Sequence, residues 1–388
     1  MPWRKSVSEM EQRELFLRDF LRGGRSISEL CELHCISRAL GHKLLRRFEQ
    51  EGRKGLEPRS RRPKHCSRET SESIICAIVR LRTEHPRWGS EKLRTLLLDD
   101  HEVGEVPSER TITRILNRSG LISLRKRRRS ARHLSSGKLV KADEPNKVWT
   151  ADIKGWWRTR DGKIVYPLTI RDEHSRFILD IGALDSYDYA SVRERFTECF
   201  RKYGMPAYIR TDNGAPFAAI RSLRGLTRLS AEWVRRGIFP ERILPAKPYM
   251  NGAHERMHKD MKAELQSKPL KSRKDEQKRF DDWREEFNNI RPHQALQNRR
   301  PRQVYIHSKE KFQEKLPEYT YPKDMETRRV GYRGNLYWHS KERFISNALC
   351  SQTVGIRYEQ DDSLSVWYCE LKLGETDSRF RLPLGGGH

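Results

Sequence analysis

Three acidic residues have the types and settings that divalent cation binding requires. Asp152 lies in an apolar stretch with Trp149 and Ile153, Asp212 lies in a Thr-Asp-Asn-Gly sequence, and Glu255 follows Asn-Gly. A carboxylate in an apolar strand is costly unless a cation or partner compensates it. Carboxylate oxygens are ligands that Mg²⁺ prefers, and two such ions can support phosphoryl transfer. We therefore predict that Asp152, Asp212 and Glu255 are catalytic metal ligands for two Mg²⁺ ions, which Mn²⁺ could replace.

The same residues also have an ordinary structural interpretation. The chain holds 53 acidic residues, so three are easily chosen, and Asp212 could simply be a turn residue. Around Glu255, however, helical spacing predicts that His258, Lys259 and Lys262 share its face. That face would place a metal ligand beside phosphate-binding cations.

The elements from Lys147 onward could bring the three acids together. Hydrophobic patterning predicts strands at 148–156, 163–170 and 177–183, a helix at 187–203, a strand at 207–210, a helix at 226–236, a strand at 239–244 and a helix at 252–266. Three antiparallel strands followed by helix, strand, helix, strand and helix is the order of the ribonuclease-H-like fold. Asp152 would then lie in the first strand, Asp212 after the fourth, and Glu255 in the last helix.

Two helical segments precede this core. Residues 8–55 predict three helices, the third opened by Ser37 and basic on its outer face, which is the helix-turn-helix pattern. Residues 67–122 predict a second such unit, with helices capped by Ser67, Ser90 and Ser108. Small bundles with solvated charged faces are the alternative. The predicted DNA-contacting residues are Arg38, His42, Lys43, Arg46 and Arg47 in the first unit, Arg59, Arg61 and Arg62 after it, and Thr111, Arg114 and Arg118 in the second.

The overall charge supports a polyanionic partner. Lys and Arg number 79 against 53 Asp and Glu, a formal net charge of +26. Neutralising phosphates releases counterions and favours binding, so nucleic acid is the expected partner. The run Arg125, Lys126, Arg127, Arg128 and Arg129 is then a phosphate-tracking linker, although such runs are often solvated tracts or nuclear addresses.

There is no long apolar run or signal-like start, and the seven cysteines are scattered, so we expect a reduced cytosolic, nucleoid-associated protein with no membrane partner.

The predicted organisation follows from these segments. We predict a multidomain α and α/β protein with helix-turn-helix domains at 1–55 and 67–122, basic linkers at 56–66 and 123–146, a ribonuclease-H-like core at 147–305, and a β-rich domain at 326–388. His293, which follows an amphipathic helix at 274–289, is expected to pack or cap rather than catalyse.

Several stretches resemble one family over almost the whole chain. They are MPWR at the start, HPRWGSEKL from His85, VWTADIKG from Val148, RTDNGAPF from Arg210, NGAHERMHKDMKAE from Asn251 and FNNIRPHQAL from Phe287. The chain is similar to integrase-like transposases of bacterial insertion sequences whose site is an Asp-Asp-Glu triad, and most similar to the insertion sequence 481 family. The interval between the second and third acids is longer than in retroviral integrases, with the extra residues at 218–236. Residues 248–250 also differ from the Gln-containing loop expected before Asn251.

The resemblance implies an activity as well as a fold. Asp152, Asp212 and Glu255 match the acidic triad, Lys259 and Lys262 match cations that hold the transposon end, and the β-rich tail resembles a small SH3-like barrel. Such an enzyme binds terminal inverted repeats, hydrolyses a phosphodiester at the element ends and transfers the 3′-hydroxyl to target DNA. Double-stranded DNA and further copies of the chain, as a dimer or tetramer, are the implied partners. A repressor without catalysis and a ribonuclease-H-type nuclease are the alternatives.

Overall fold

The structure is a computed structural model. It describes residues 8–59, 70–100, 104–122, 139–153, 155–219, 222–243, 252–266, 269–338, 341–359 and 363–376. The chain forms two compact units, Met1–Ser71 and Glu72–His388, and each is described by itself. Within the described residues, no helix has the length and apolar character needed to cross a bilayer.

The first unit is a three-helix domain. Its helices are α1 (Glu9–Arg22), α2 (Ile27–Leu33) and α3 (Arg38–Glu51). Ser8, Ser26 and Ser37 each accept a hydrogen bond from a backbone N–H in the first turn of the helix that follows. Buried apolar residues from all three helices form one core, which includes Phe16, Leu30 and Leu44. The predicted helix-turn-helix arrangement is present.

The second unit begins with another three helices, α4 (Glu72–Glu84), α5 (Ser90–Asp99) and α6 (Glu109–Arg118). Ser108 caps α6 as predicted. The prediction that Ser90 caps α5 is wrong, because Gly89 occupies the cap position and Ser90 is the first helical residue. Ser67, the predicted cap of the preceding helix, lies outside the described residues.

This second helical segment packs against residues that follow the core sheet. His85 Nδ1 lies 3.1 Å from Glu286 Oε1, and the guanidinium of Arg291 lies 5.8 Å from the ring centroid of Trp88. Farther along, the Asn298 side-chain amide donates to Glu91 Oε1 at 3.1 Å. The second helical segment therefore packs against the core through stacking and polar contacts.

A six-stranded sheet forms the centre of the second unit. Its strands are β1 (Val148–Ile153), β2 (Trp157–Arg158), β3 (Ile164–Asp172), β4 (Ile178–Leu184), β5 (Tyr208–Thr211) and β6 (Phe239–Arg242). Strand β3 pairs antiparallel with β1, β2 and β4, whereas β5 is parallel to both β1 and β6. The helices are α7 (Tyr189–Tyr203), α8 (Arg228–Arg235), α9 (Gly252–Met261), α10 (Arg273–Glu285) and the short α11 (Pro301–Val304). This is the predicted order of the integrase-type core, and that prediction is confirmed.

Helices cover both faces of the sheet because strand side chains alternate between the faces. Trp149 and Ala151 of β1 lie in one apolar cluster with residues of α7 and α8, such as Phe196 and Trp233. The opposite face packs on α9 and α10, where Met257 is among the buried residues. Thr150 and Asp152 alternate with Trp149 and Ala151, so they face α9.

The carboxyl-terminal region is β-rich, as predicted, but its described strands do not form a closed barrel. The strands are β7 (Glu326–Arg329), β8 (Asn335–Trp338), β9 (Lys341–Phe344), β10 (Thr353–Tyr358), β11 (Leu364–Tyr368) and β12 (Leu371–Thr376). Strands β7, β10, β11 and β12 make an open four-stranded sheet, whereas β8 and β9 pair only with each other. A tight turn at Gly331–Gly334, closed by hydrogen bonds from Gly331 to Asn335 and from Gly334 to Gly331, starts a separate hairpin after β7. The barrel prediction is wrong for this reason.

Residues between the second and third acids pack against this sheet. Leu226, Ala231 and Val234 share an apolar cluster with Val354 and Val366. The additional residues at 218–236 thus form an interface with the carboxyl-terminal region.

Candidate active site

Two of the predicted acids lie at the carboxyl ends of neighbouring parallel strands. In the β1–β5 ladder Val148 is opposite Tyr208 and Thr150 is opposite Arg210. Continuing this register by two residues sets Asp152 level with Asp212, which directly follows β5. Because parallel strands lie about 4.8 Å apart, the ladder holds the two backbones close together.

The surroundings of Asp212 raise the pKa of its carboxyl. Partial burial raises the pKa of its carboxyl, and the negative charge of Asp152 raises that pKa further. The Gly214 N–H, which donates to Asp212 Oδ1 at 3.1 Å, and the positive charge of Arg242 act in the opposite direction. Two carboxylates placed side by side repel each other, and a cation between them would remove that cost.

Two histidines of α9 connect this helix to the strands below. His254 and His258 are both 0% exposed and lie one helical turn apart. His258 Nδ1 lies 3.1 Å from Asp152 Oδ2, and its Nε2 lies 2.7 Å from Thr169 Oγ1. His254 reaches Thr150 Oγ1 through Nδ1 at 2.8 Å and Thr169 Oγ1 through Nε2 at 2.6 Å. These contacts fix α9 over β1 and β3.

The third predicted acid is on the same helix but on another face. Glu255, Lys259 and Lys262 are exposed, whereas His254 and His258 are buried. The prediction that His258 shares the face of Glu255 is therefore wrong, because the sheet takes up the histidine side of α9. Within the described ranges, no hydrogen bond or ion pair joins Glu255 to either aspartate. The structure brings Asp152 and Asp212 together and places the helix of Glu255 beside them.

Arg242 is a neighbour of the site that the sequence did not reveal. It ends β6 and is paired in register with Thr211, one residue before Asp212. Its guanidinium donates to Gly225 O at 2.8 Å, and burial lowers its pKa to about 10. At neutral pH it therefore remains a cation beside Asp212. A basic residue at the end of a strand neighbouring the acid's strand is the signal that could have identified it.

An open groove starts beside Asp212. Its volume is about 870 Å³, and its walls include Asn213, Gly214, Arg228 and Phe344. It runs from the loop after β5 to the hairpin of the carboxyl-terminal region.

Some of the predicted DNA-contacting residues are exposed, whereas others already make contacts within the protein. On α3, Arg38, His42, Lys43 and Arg46 are exposed. Arg47 is half-buried, donates to Glu57 O at 2.8 Å, and has its pKa lowered mainly by burial. Arg59 forms an ion pair with Glu51.

In the second helical segment, Arg114 and Arg118 are exposed on α6, whereas Thr111 takes part in the Ser108 cap. The remaining predicted contacts lie outside the described residues; they are Arg61, Arg62, Arg125, Lys126, Arg127, Arg128 and Arg129. His293 packs on Phe287 with ring centroids 4.5 Å apart, as expected of a packing residue.

Cation binding is best supported at one side-chain cluster. Among the described residues, Asp152, His254 and His258 form a group whose potential ligand atoms lie within 4.8 Å of one another. With Asp212 alongside, the donor set contains carboxylate oxygen and imidazole nitrogen. This set suits a divalent cation.

Family comparisons agree with the segments seen in the structure. Residues 236–301 match the family model described as an integrase core domain, a segment that includes α9 with Glu255. Residues 12–64 match a helix-turn-helix domain, and residues 41–116 match a homeodomain-like domain. The predicted presence of helix-turn-helix helices and of an integrase core is thus confirmed, whereas the predicted domain boundaries remain predictions.

Two curated proteins are similar over part of the chain. One is an uncharacterized 31.7 kDa protein of insertion element IS407 from Burkholderia multivorans, 25% identical over 58% of this chain and 78% of that protein. The other is an uncharacterized 39.2 kDa protein of insertion element IS476 from Xanthomonas euvesicatoria, 28% identical over 58% of this chain and 62% of that protein. The chain thus spans less than two thirds of the second relative.

Solved structures show weaker likeness. The HTLV-2 integrase catalytic core domain in complex with magnesium aligns with 42% of this chain and 95% of its own, with 14% identity and a TM-score of 0.30. The simian T-cell lymphotropic virus intasome in complex with PP2A regulatory subunit B56 gamma aligns with 76% of this chain and 97% of its own, with 13% identity and a TM-score of 0.36. The family models and the two curated relatives show that the chain combines helix-turn-helix segments with an integrase core segment, and that it is similar to proteins of insertion elements.

Proposed function

We propose that this protein is a DNA transposase with an Asp-Asp-Glu site, similar to the insertion sequence 481 family. It hydrolyses the phosphodiester at the element ends and joins the freed 3′-hydroxyl to target DNA. The observation that carries the proposal is the placement of Asp152 and Asp212 side by side on parallel strands, next to the helix that bears Glu255. The integrase core match and the similarity to insertion-element proteins support it.

The residues at the site fit divalent cations. Burial raises the pKa of the Asp212 carboxyl, and the negative charge of Asp152 adds to this; a bound cation would offset both costs. Asp152, Asp212 and Glu255 would hold two Mg²⁺ or Mn²⁺ ions, which when bound supply an activated water and neutralise charge on the leaving oxygen. The cations of the chain itself then position the DNA.

Separate elements would hold the DNA. Lys259 and Lys262 are exposed on the side of α9 that carries Glu255, where they can contact phosphates of the transposon end. Helices α3 and α6 would enter major grooves of the terminal repeats, with the basic linkers along the backbone. Pairing two ends requires two or more copies of the chain, so we expect a dimer or tetramer on DNA.

The test is an in vitro reaction with end DNA, Mg²⁺ and a supercoiled target. Asp152→Asn should keep DNA binding and lose both cleavage and joining, because the amide cannot balance a cation as a carboxylate does. Asp143→Asn, which removes an exposed acid paired with Lys147, should retain both activities.

Two results would overturn the proposal. Wild-type protein that binds the ends without metal-dependent cleavage would be a repressor. Protein that cuts an RNA–DNA hybrid and never joins ends to target would be a nuclease of the ribonuclease H type.

A further inference from the structure

The groove beside Asp212 carries an inference about the DNA strand that the site cuts. It rests on the proposed function, because it concerns the substrate of the same site. Gly214 lines the groove and donates its N–H to Asp212 Oδ1 at 3.1 Å. A Cβ atom added at Gly214 would lie 3.1 Å from Asp212 Oδ2. The groove therefore begins directly at this carboxylate.

The two walls of the groove contact each other. One wall comes from the segment after β5, and the other comes from the end of β9 and the residues that follow it. The Leu223 N–H donates to Ile345 O at 2.9 Å, and Ser346 Oγ lies 3.1 Å from Ser222 Oγ. Leu226 and Ile345 are buried in one apolar cluster. The groove is therefore a packed part of this unit.

Arg228 is the one charged side chain among the described residues that line the groove. It is exposed, and its guanidinium lies 4.6 Å from the ring centroid of Tyr189. Glu232 is one turn along α8, but its carboxylate already accepts hydrogen bonds from Arg193, Arg236 and Tyr189. Within the described part of the chain, Arg228 thus has no ion-pair partner, and its charge is available to an anion in the groove.

Phe344 and Asn347 lie on the opposite wall. Phe344 is 39% exposed, so part of its ring is open to the groove. Asn347 is exposed, and its side-chain amide makes no hydrogen bond to any described residue. Much of the remaining lining is small or apolar and includes four alanines and Leu226. The groove therefore combines a cation, an aromatic ring and an amide with an apolar surface.

A nucleotide has the parts that complement this lining. It carries a phosphate, a flat base face and a base edge with donors and acceptors. In a duplex, neighbouring bases cover these faces, so no face is free to stack on Phe344. An unpaired base can stack there while Arg228 contacts its phosphate, and the stacking offsets part of the cost of leaving the duplex. The expected occupant is therefore an unpaired nucleotide.

The position of the groove relative to α9 indicates which nucleotide this is. Helix α9 packs over β1 and β3, whereas the groove follows β5 on the other side of β1. Under the proposed function, Lys259 and Lys262 of α9 hold the element end. A strand that crosses the aspartates from that side continues into the groove past the scissile phosphate.

We propose that the groove binds, unpaired, the first flanking nucleotides on the 3′ side of the scissile phosphate. One base stacks on Phe344, and Arg228 contacts a phosphate of the same strand. The groove thus holds the flanking strand on one side of the cut while α9 holds the element end on the other.

The test compares two forms of end DNA. One is blunt at the scissile position, and the other carries a short single-stranded thymine tail on the 3′ side. Binding to the full-length protein is measured by fluorescence anisotropy without divalent metal, so that no strand is cut. We expect the tail to raise the affinity of wild type about 5- to 100-fold. Phe344→Ala should lose most of this gain, and Phe344→Trp should retain it.

A second variant tests the cation. Arg228→Gln should reduce the gain, and should lower the slope of log gain against log salt by about 0.7, which corresponds to one phosphate of a single strand. Because Arg228 is exposed, this variant carries the test if thermal melting shows that Phe344→Ala is not folded. The matched control combines Tyr332→Ala with Arg333→Gln, an exposed ring and a guanidinium 5.2 Å apart that do not line the groove. The control should keep the full gain.

The outcomes separate this inference from the proposed function. A tail that adds no affinity, or adds as much in Phe344→Ala and Arg228→Gln as in wild type, would overturn the inference, and DNA cleavage by the same protein would leave the transposase standing. A full gain in Phe344→Ala together with loss of joining would place target DNA in the groove, which also overturns it. A gain that depends on Phe344, in protein that never cleaves DNA, would support a single-strand groove and overturn the transposase.

Discussion

The two helical segments before the core share a pattern but differ in what they contact. The first, with α1 to α3, belongs to a compact unit of its own and exposes Arg38 and Arg46 on its third helix. The second, with α4 to α6, belongs to the unit of the core and contacts it through His85, Glu91 and Trp88. A similar helical pattern can thus form a compact unit by itself or pack within the unit that contains the integrase-type core.

One short motif contributes to this difference. The sequence His85-Pro86-Arg87-Trp88-Gly89 lies between α4 and α5. In the structure, the ring of His85 stacks on Trp88 with centroids 3.9 Å apart, and Trp88 is 2% exposed. The motif therefore forms part of the contact surface of the second segment, together with Glu91 of α5.

The largest expected effect is from Trp88→Ala. Removing a buried tryptophan should cost about 3–5 kcal/mol, because it leaves a cavity and removes the stacking of His85. Urea unfolding should show destabilisation of the second unit with the transition of the first unit unchanged. Phe16→Ala, which empties the core of the first unit, should give the opposite pattern. A single unfolding transition whose midpoint is lowered by both substitutions would contradict the view that the two segments belong to separate units.

DNA binding should depend more on the first segment. Arg38→Ala combined with Arg46→Ala should weaken affinity for end DNA at least about tenfold, and should reduce the slope of log affinity against log salt by about two. The matched control is Arg18→Ala with Arg25→Ala, which removes two exposed charges of the same unit away from α3. Binding measured by fluorescence anisotropy across salt concentrations distinguishes them, and equal losses in both pairs would mean that α3 has no special role.

The smallest effect concerns Lys92 of α5. Burial, with a smaller contribution from the nearby Arg291, lowers its pKa to about 8. Below pH 8 both the folded and unfolded states hold the proton, so the cost of burying the charge is fully present. Between about pH 8 and 10.5 the unfolded state holds more protons, so stability rises with pH.

Lys92→Met should therefore stabilise the second unit by about 1 kcal/mol at pH 7, after allowance for partial exposure. The advantage should fall between about pH 8 and 10.5 and vanish above about pH 10.5, where the lysine becomes neutral in both states. Thermal melting at several pH values is the measurement. An advantage that does not change with pH would show that packing, not charge, is responsible.

Much of the site could be predicted from local sequence. Asp152 was identifiable because it interrupts an apolar strand, and Asp212 because it ends a short strand before Asn-Gly. Their side-by-side placement follows from strand order alone, since a parallel β1–β5 pair has a defined register. The caps at Ser37 and Ser108 depended on local sequence in the same way.

The features of the site and fold that depend on tertiary packing were not predicted from the sequence. Which side of α9 faces the sheet is set by Thr150 and Thr169, which belong to strands far away in sequence, so His258 was assigned to the wrong face. Arg47 was predicted to contact DNA, but it is held by the carbonyl of Glu57 after the helix. The open carboxyl-terminal sheet was also unpredictable, because strand pairing there depends on partners that short strands do not specify.

The register of the β1–β5 pair determines where the two aspartates lie relative to each other. Their spacing is set by backbone hydrogen bonds inside the sheet, and the loops contribute nothing to it. Chain inserted after Asp212 can therefore lengthen without disturbing the acids, provided that α9 still reaches Thr150 and Thr169. Residues 218–236 lie in this segment, where insertions do not move the aspartates. New surfaces can therefore evolve there while Asp152 and Asp212 keep their positions.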